Sequence, residues 1–157
     1  MKSKVPLGYF RADSVADALD ALQQDSVSVI AGGTDWYPGL GDAPAPANIL
    51  DVSAVPEFQG VTRQQNGWRI GAATTWSDLI SADLPDAFDG LKLAARDVGS
   101  VQIQNVATLV GNICNASPAA DGVPPLLCLD AQVEIVSHSG TRLLPLAEFI
   151  TGVRTTA

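Results

Sequence analysis

Ser26-Val27-Ser28-Val29-Ile30 alternates polar and apolar side chains as a strand does, and it runs without a break into the turn Ala31-Gly32-Gly33-Thr34-Asp35. Glycine has no Cβ, so backbone amides can converge there on a ligand, and consecutive N–H groups form a nest for an anion. A second turn of this kind is Thr108-Leu109-Val110-Gly111-Asn112. No lysine or arginine lies between Arg11 and Arg63, nor between Arg96 and Arg142, so neither turn has a basic residue near it in sequence. A phosphate at either turn would be held by amides, hydroxyls and the N-terminus of any helix that follows, rather than by a salt bridge.

Outward from the first turn, Ser14 or Asp13 caps a helix whose Val15, Ala18, Leu19 and Leu22 recur at i, i+3, i+4 and i+7. Asn48-Ile49-Leu50-Asp51-Val52 is a second buried strand, reached through the loop that carries Pro44 and Pro46. A small helix-covered sheet, parallel in sense, follows from that order. Near Phe58 the character changes. Val61-Thr62-Arg63-Gln64 and Trp68-Arg69-Ile70-Gly71-Ala72 flank Asn66-Gly67, a strong hairpin signal. Thr75 with Asp78 forms an imperfect capping box before Leu79-Ile80, and Leu91 to Val98 reads as a helix. A further hairpin joins Gln132–Val136 to Thr141–Leu144 through Ser139-Gly140. The expected fold is α+β in two lobes, about 1–57 and about 58–157, with a helix-flanked parallel sheet in the first and antiparallel sheet in the second.

The 157 residues suit one domain able to bury roughly 70% of its unfolded surface. A net charge of −8, from nine Lys+Arg against seventeen Asp+Glu, offers no footprint for nucleic acid or an anionic membrane. Met1-Lys2-Ser3-Lys4 carries the charge of a leader, but the apolar stretch behind it is short and meets Arg11 and Asp13, so a cytoplasmic protein is expected. Cys114 and Cys128 stand far apart without companion ligands, which leaves no metal site and suggests two reduced thiols. His138, the one histidine, falls in the polar tip Ser137-His138-Ser139-Gly140 and reads as a solvated turn residue. No catalytic acid, base or nucleophile is evident.

Five segments in order carry more than spacing does: Ala31–Asp35, Val98-Gly99-Ser100-Val101-Gln102-Ile103-Gln104-Asn105, Ala107–Ile113, Asn115-Ala116-Ser117-Pro118-Ala119-Ala120-Asp121, and Pro145–Phe149 with Gly152-Val153-Arg154-Thr155-Thr156. Together they closely resemble the FAD-binding domain of the molybdenum hydroxylases, the xanthine dehydrogenase family, over essentially the whole chain. The resemblance implies FAD lying between the two lobes. It matches Val29, Ile30, Ala31, Gly32, Gly33, Thr34, Asp35 and Trp36 to a first flavin-binding loop, and Thr108, Leu109, Val110, Gly111 and Asn112 to a second. Ser117 and Asp121 match the following segment, where the carboxylate can accept from a cofactor sugar hydroxyl, and Val98 falls at a flavin-contacting position in some members.

Departures from the family pattern are Val110 for a glycine, Gln104 for an arginine, and Trp36-Tyr37 for aliphatic residues. If the glycine is needed for close amide approach, Val110→Gly should tighten FAD binding. Relatives continue beyond Arg154-Thr155-Thr156-Ala157 into a C-terminal domain, so this chain is expected to be a truncated or minimal flavin domain. The implied function is that of an oxidoreductase component. Electrons from a molybdopterin-binding subunit and an iron–sulfur subunit would pass through FAD to NAD or another acceptor. The alternatives are an FAD-free assembly module and a stand-alone flavin reductase.

Overall fold

In the computed structural model, which describes residues 8–157, three short strands make a parallel sheet: β1 (Gly8–Arg11), β2 (Val27–Ile30) and β3 (Asn48–Asp51), in the order β1-β3-β2. The leader-like stretch Met1–Lys4 lies outside the described residues. Phe10 and Val29 both register with the fully buried Leu50, so the middle of the central strand is apolar across all three strands. Helix α1 (Val15–Ala21) makes the crossover, and its N-cap is Ser14, whose hydroxyl accepts from the Asp17 amide at 3.1 Å. Ala12, Ala18, Ala21, Leu50 and Val55 form the core of this part. Leu22, expected on the buried face, is 45% exposed because the helix stops at Ala21 and seats its small alanines on the sheet.

After β2 come the first glycine turn and α2 (Trp36–Leu40). The antiparallel part of the molecule consists of separate hairpins rather than one continuous sheet. β4 (Val61–Gln64) pairs with β5 (Gly67–Ile70), β6 (Gln132–Ser137) with β7 (Gly140–Pro145), and β8 (Ile150–Gly152) with β9 (Thr155–Thr156). The first two turns fall one residue earlier than the sequence signals suggest, at 65–66 and 138–139. Helices α3 (Trp76–Ser81), α4 (Asp89–Asp97), α5 (Val101–Gln104), α6 (Leu109–Asn115), α7 (Val123–Cys128) and α8 (Leu146–Phe149) surround a second core. It is built from Trp76, Leu79, Leu91, Ala95, Leu109, Ile113, Leu126, Leu146 and Phe149. The Thr75–Asp78 capping box is complete, with both reciprocal bonds at 3.1 Å.

Long-range contacts tie the two cores together. His138, at the β6–β7 tip, reaches back to α1, where Nε2 lies 2.9 Å from the Leu19 carbonyl oxygen. His138 is an exposed turn residue, as expected from the sequence, and this contact comes in addition. The α1 end offers carbonyls with no helical partner, and a ring N–H satisfies one of them. Arg69 donates to the Glu57 carbonyl at 3.0 Å and pairs with Glu134 at 3.1 Å. No helix among the described residues is long and apolar enough to cross a membrane.

Candidate functional site

A cleft of about 550 Å3 opens at the carboxyl end of β2, the end at which parallel sheets receive ligands. One wall is the run from Val29 to Trp36. Gly33 has φ +67°, left-handed backbone that only glycine adopts freely, and a Cβ there would lie 2.7 Å from the Tyr37 ring. Gly32 needs its missing side chain for a different reason. A Cβ would fall 1.9 Å from the carbonyl oxygen of Val106, so the first turn leans directly on the main chain that leads into the second. The turn's own amides are left over. Among the described residues, those of Gly32, Gly33, Thr34 and Asp35 have no backbone acceptor. Trp36 closes this wall and meets Tyr37 edge-on, ring centroids 4.9 Å apart.

The opposite wall comes from Val98, Ile103, α6 and the segment after it. Thr108 is the N-cap of α6, and its hydroxyl accepts from the Gly111 amide at 2.9 Å while keeping its own proton to donate. An isolated bridge to Thr75 fixes it, with Trp76 N donating to Ala107 O (3.1 Å) and Leu109 N to Thr74 O (3.2 Å). Asn112 Oδ1 accepts from the Gly122 amide at 3.2 Å, and Ser117 Oγ accepts from the Ala119 amide at 3.2 Å, so the 117–122 turn is shaped from within. Asp121 enters the cleft without serving as a cap, because the N-cap of α7 is Gly122.

Of the residues singled out from the sequence, Val29, Ile30, Ala31, Gly32, Gly33, Thr34, Asp35, Trp36, Val98, Thr108, Gly111, Asn112, Ser117 and Asp121 all line this cleft. Leu109 and Val110 do not; Leu109 is 2% exposed in the second core and Val110 packs against it. The reason is local: 108–112 is the first turn of a helix, so only one of its faces reaches the cleft. Thr108, Gly111, Asn112 and Asn115 stand at i, i+3, i+4 and i+7 on that face, and helical spacing could have added Asn115 to the sequence reading. Trp76, Ile103, Ala107, Cys114, Ala119 and Ala120 complete the lining. Trp76 has no local sequence signal, since the Thr75–Thr108 bridge brings it in.

Gln104, where the resembling family has arginine, is buried and donates to the carbonyls of Arg96 (3.0 Å) and Val98 (3.2 Å). It thereby caps the end of α4 and holds Val98 at the cleft. Electrostatically the lining has two carboxylates, Asp35 and Asp121, and no lysine or arginine. Cys114 shows part of its surface to the cleft, yet burial of the sulfur pushes its thiol up from the ordinary 9.0, which keeps it neutral at physiological pH. Both cysteines are free. Unpartnered amides, a hydroxyl proton, a tryptophan and a carboxylate suit a long ligand with an anionic middle, a flat aromatic part and sugar hydroxyls.

The family model described as the FAD-binding domain in molybdopterin dehydrogenase matches residues 3–157. The xanthine dehydrogenase FAD-binding subunit of Escherichia coli O157:H7 is 38% identical over 148 residues, covering 92% of this chain and 51% of that subunit. The glyceraldehyde dehydrogenase medium chain of Sulfolobus acidocaldarius is 35% identical over 151 residues, covering 94% of this chain and 54% of its own. Among solved structures, carbon monoxide dehydrogenase from Hydrogenophaga pseudoflava superimposes with a TM-score of 0.88 at 26% identity, covering 97% of this chain and 55% of that one. The chain thus spans about half the length of these relatives.

Proposed function

The chain belongs to the family of FAD-binding domains in molybdopterin dehydrogenases, and from that premise we propose that the cleft between the first glycine turn and α6 is its FAD site. The observation that carries this is the row of amides at Gly32 to Asp35, which have no backbone acceptor among the described residues and line the same cleft as Thr108. In this reading those amides and the Thr108 proton bind the pyrophosphate. Asp121 accepts from a sugar hydroxyl, while Trp36, Val98 and Ile103 flank the flavin and keep water from it. FAD would then lie between two lobes, about 1–57 and 58–157.

FAD supplies reversible electron exchange when bound. The chain's own residues bind and orient it, and tune its potential through an acidic, partly apolar surround. None of them needs to act as a catalytic acid or base. We further propose that the domain works with molybdopterin-binding and iron–sulfur partners, in the cytoplasm, relaying electrons to NAD or another acceptor. The names of the relatives support the oxidoreductase setting.

Titration of FAD into the purified chain tests the site. Saturable binding with a perturbed flavin absorbance is expected, and Asp121→Ala should weaken it by about 1–3 kcal/mol with no loss of apo stability. Absence of FAD binding by the wild-type chain overturns the assignment of the cleft.

A further inference from the structure

The cleft lining carries two carboxylates and no cation, although the proposed ligand is itself anionic. One cation nevertheless stands a single hydrogen bond away from that lining. The turn between β8 and β9 brings Arg154 against the C-terminal end of α6, where its amide donates to the Ala116 carbonyl at 2.8 Å and its guanidinium donates from Nη1 to Asn115 Oδ1. Asn115 lines the cleft. Both main-chain partners take left-handed backbone without being glycine, Ala116 at φ +46° and Arg154 at φ +53°, and such conformations persist only where the surroundings over-determine them. The guanidinium is also uncompensated. Among the described residues no carboxylate pairs with Arg154, and its side-chain partner is a neutral amide oxygen. A positive charge held one hydrogen bond from the lining of an acidic cleft attracts an anion inside it over distances comparable to the Debye length, about 8–10 Å at ordinary ionic strength.

We infer that Arg154 is a positioning residue for FAD, supplying through Asn115 the positive charge that offsets the cofactor's pyrophosphate in a cleft with no cation of its own. The inference rests on the proposed FAD site and adds to it a residue that no local motif of the two glycine turns contains. Its two components are separable, because the main-chain bond to Ala116 survives any side-chain change at position 154 short of proline. Gln keeps a donor for Asn115 and loses the charge. Lys keeps the charge and changes the geometry.

The experiment is titration of FAD, and of riboflavin as the phosphate-free probe, into the full chain and its Arg154→Gln and Arg154→Lys variants at low and high salt, with melting of each apo form alongside. Arg154→Gln is expected to weaken FAD about three- to fivefold at low salt. The difference should shrink at high salt, riboflavin binding should be unchanged, and Arg154→Lys should stay near wild type. Equal weakening of FAD and riboflavin, or loss of FAD by the Gln and Lys variants alike at both salt levels, would make Arg154 a clamp on Asn115 and overturn the electrostatic role. Wild-type affinity for FAD in Arg154→Gln would remove the residue from the site altogether. Failure of the wild-type chain to bind FAD takes down the proposed site itself, a result distinct from all of these.

Discussion

Gly33 is held in left-handed backbone with the Tyr37 ring where a side chain would go, so two independent penalties meet at one residue. Gly33→Val should cost about 1–2 kcal/mol in backbone strain alone, and displacement of Tyr37 should disturb the neighbouring amides. FAD affinity is therefore expected to fall by at least about tenfold while the chain still folds cooperatively. Gly39→Ala in α2, where a Cβ meets nothing within 4 Å, is the matched control and should leave the titration unchanged. A second residue-scale feature is Asp51, at the end of β3. Burial pulls its carboxyl pKa up, but hydrogen bonds from the Tyr9 hydroxyl, the Ser53 amide and the field of Arg11 outweigh that and hold it below the ordinary 3.8. A carboxyl depressed on folding contributes stability that is present above the unfolded value and lost as pH falls through the folded one. Tyr9→Phe should thus cost about 1 kcal/mol at neutral pH, with the gap between mutant and wild type narrowing below pH about 4 as Asp51 takes up its proton. Melting midpoints measured across that range would show it, and a pH-independent difference would exclude the Tyr9–Asp51 contribution.

Among the elements, α6 decides how the second glycine turn is to be read. Val110 lies on the side of the helix that packs against the second core, and the cleft-facing positions are Thr108, Gly111, Asn112 and Asn115. The expectation that Val110→Gly would tighten FAD binding assumed a loop whose every residue approaches the ligand. On a helix the substitution instead loses core packing and adds backbone entropy, so it should lower stability by about 1–2 kcal/mol and leave FAD affinity within twofold. Denaturant unfolding and FAD titration of the same variant would separate the two effects. The glycine turns, the Thr75–Asp78 box and the parallel sense of β2 and β3 were legible in the sequence because each rests on contacts within a few positions, whereas most cleft residues followed from the family resemblance and β1 carried no signal that was read. Gln104, Trp76, His138 and Arg154 were not. Their roles depend on partners brought in by the fold, such as the Thr75–Thr108 bridge or the 39-position span from Arg154 to Asn115, and no local pattern encodes those.

For the molecule as a whole, the cleft draws one wall from the end of the parallel sheet and the other from helices around the second core. A ligand that needs both walls can bind only when both cores are intact. FAD at a hundredfold excess over its Kd should therefore add about 2.7 kcal/mol to unfolding, and by the same increment in Leu50→Ala, which damages the first core, and in Leu91→Ala, which damages the second. Each substitution alone should cost about 2–5 kcal/mol. Guanidinium titrations with and without FAD would check this, and rescue of one variant but not the other would mean that the ligand rests on a single core. The contact of Gly32 with the Val106 carbonyl extends the point from stability to portability. Residues 29–36 look like a self-contained cassette, yet their backing is main chain from more than seventy positions later. Transplanted onto another strand-turn-helix scaffold, the cassette would carry its amides but not the surface that sets their direction. The smallest unit that can be moved and still bind is therefore the pair of turns together with the Thr75–Thr108 bridge that seats the second of them.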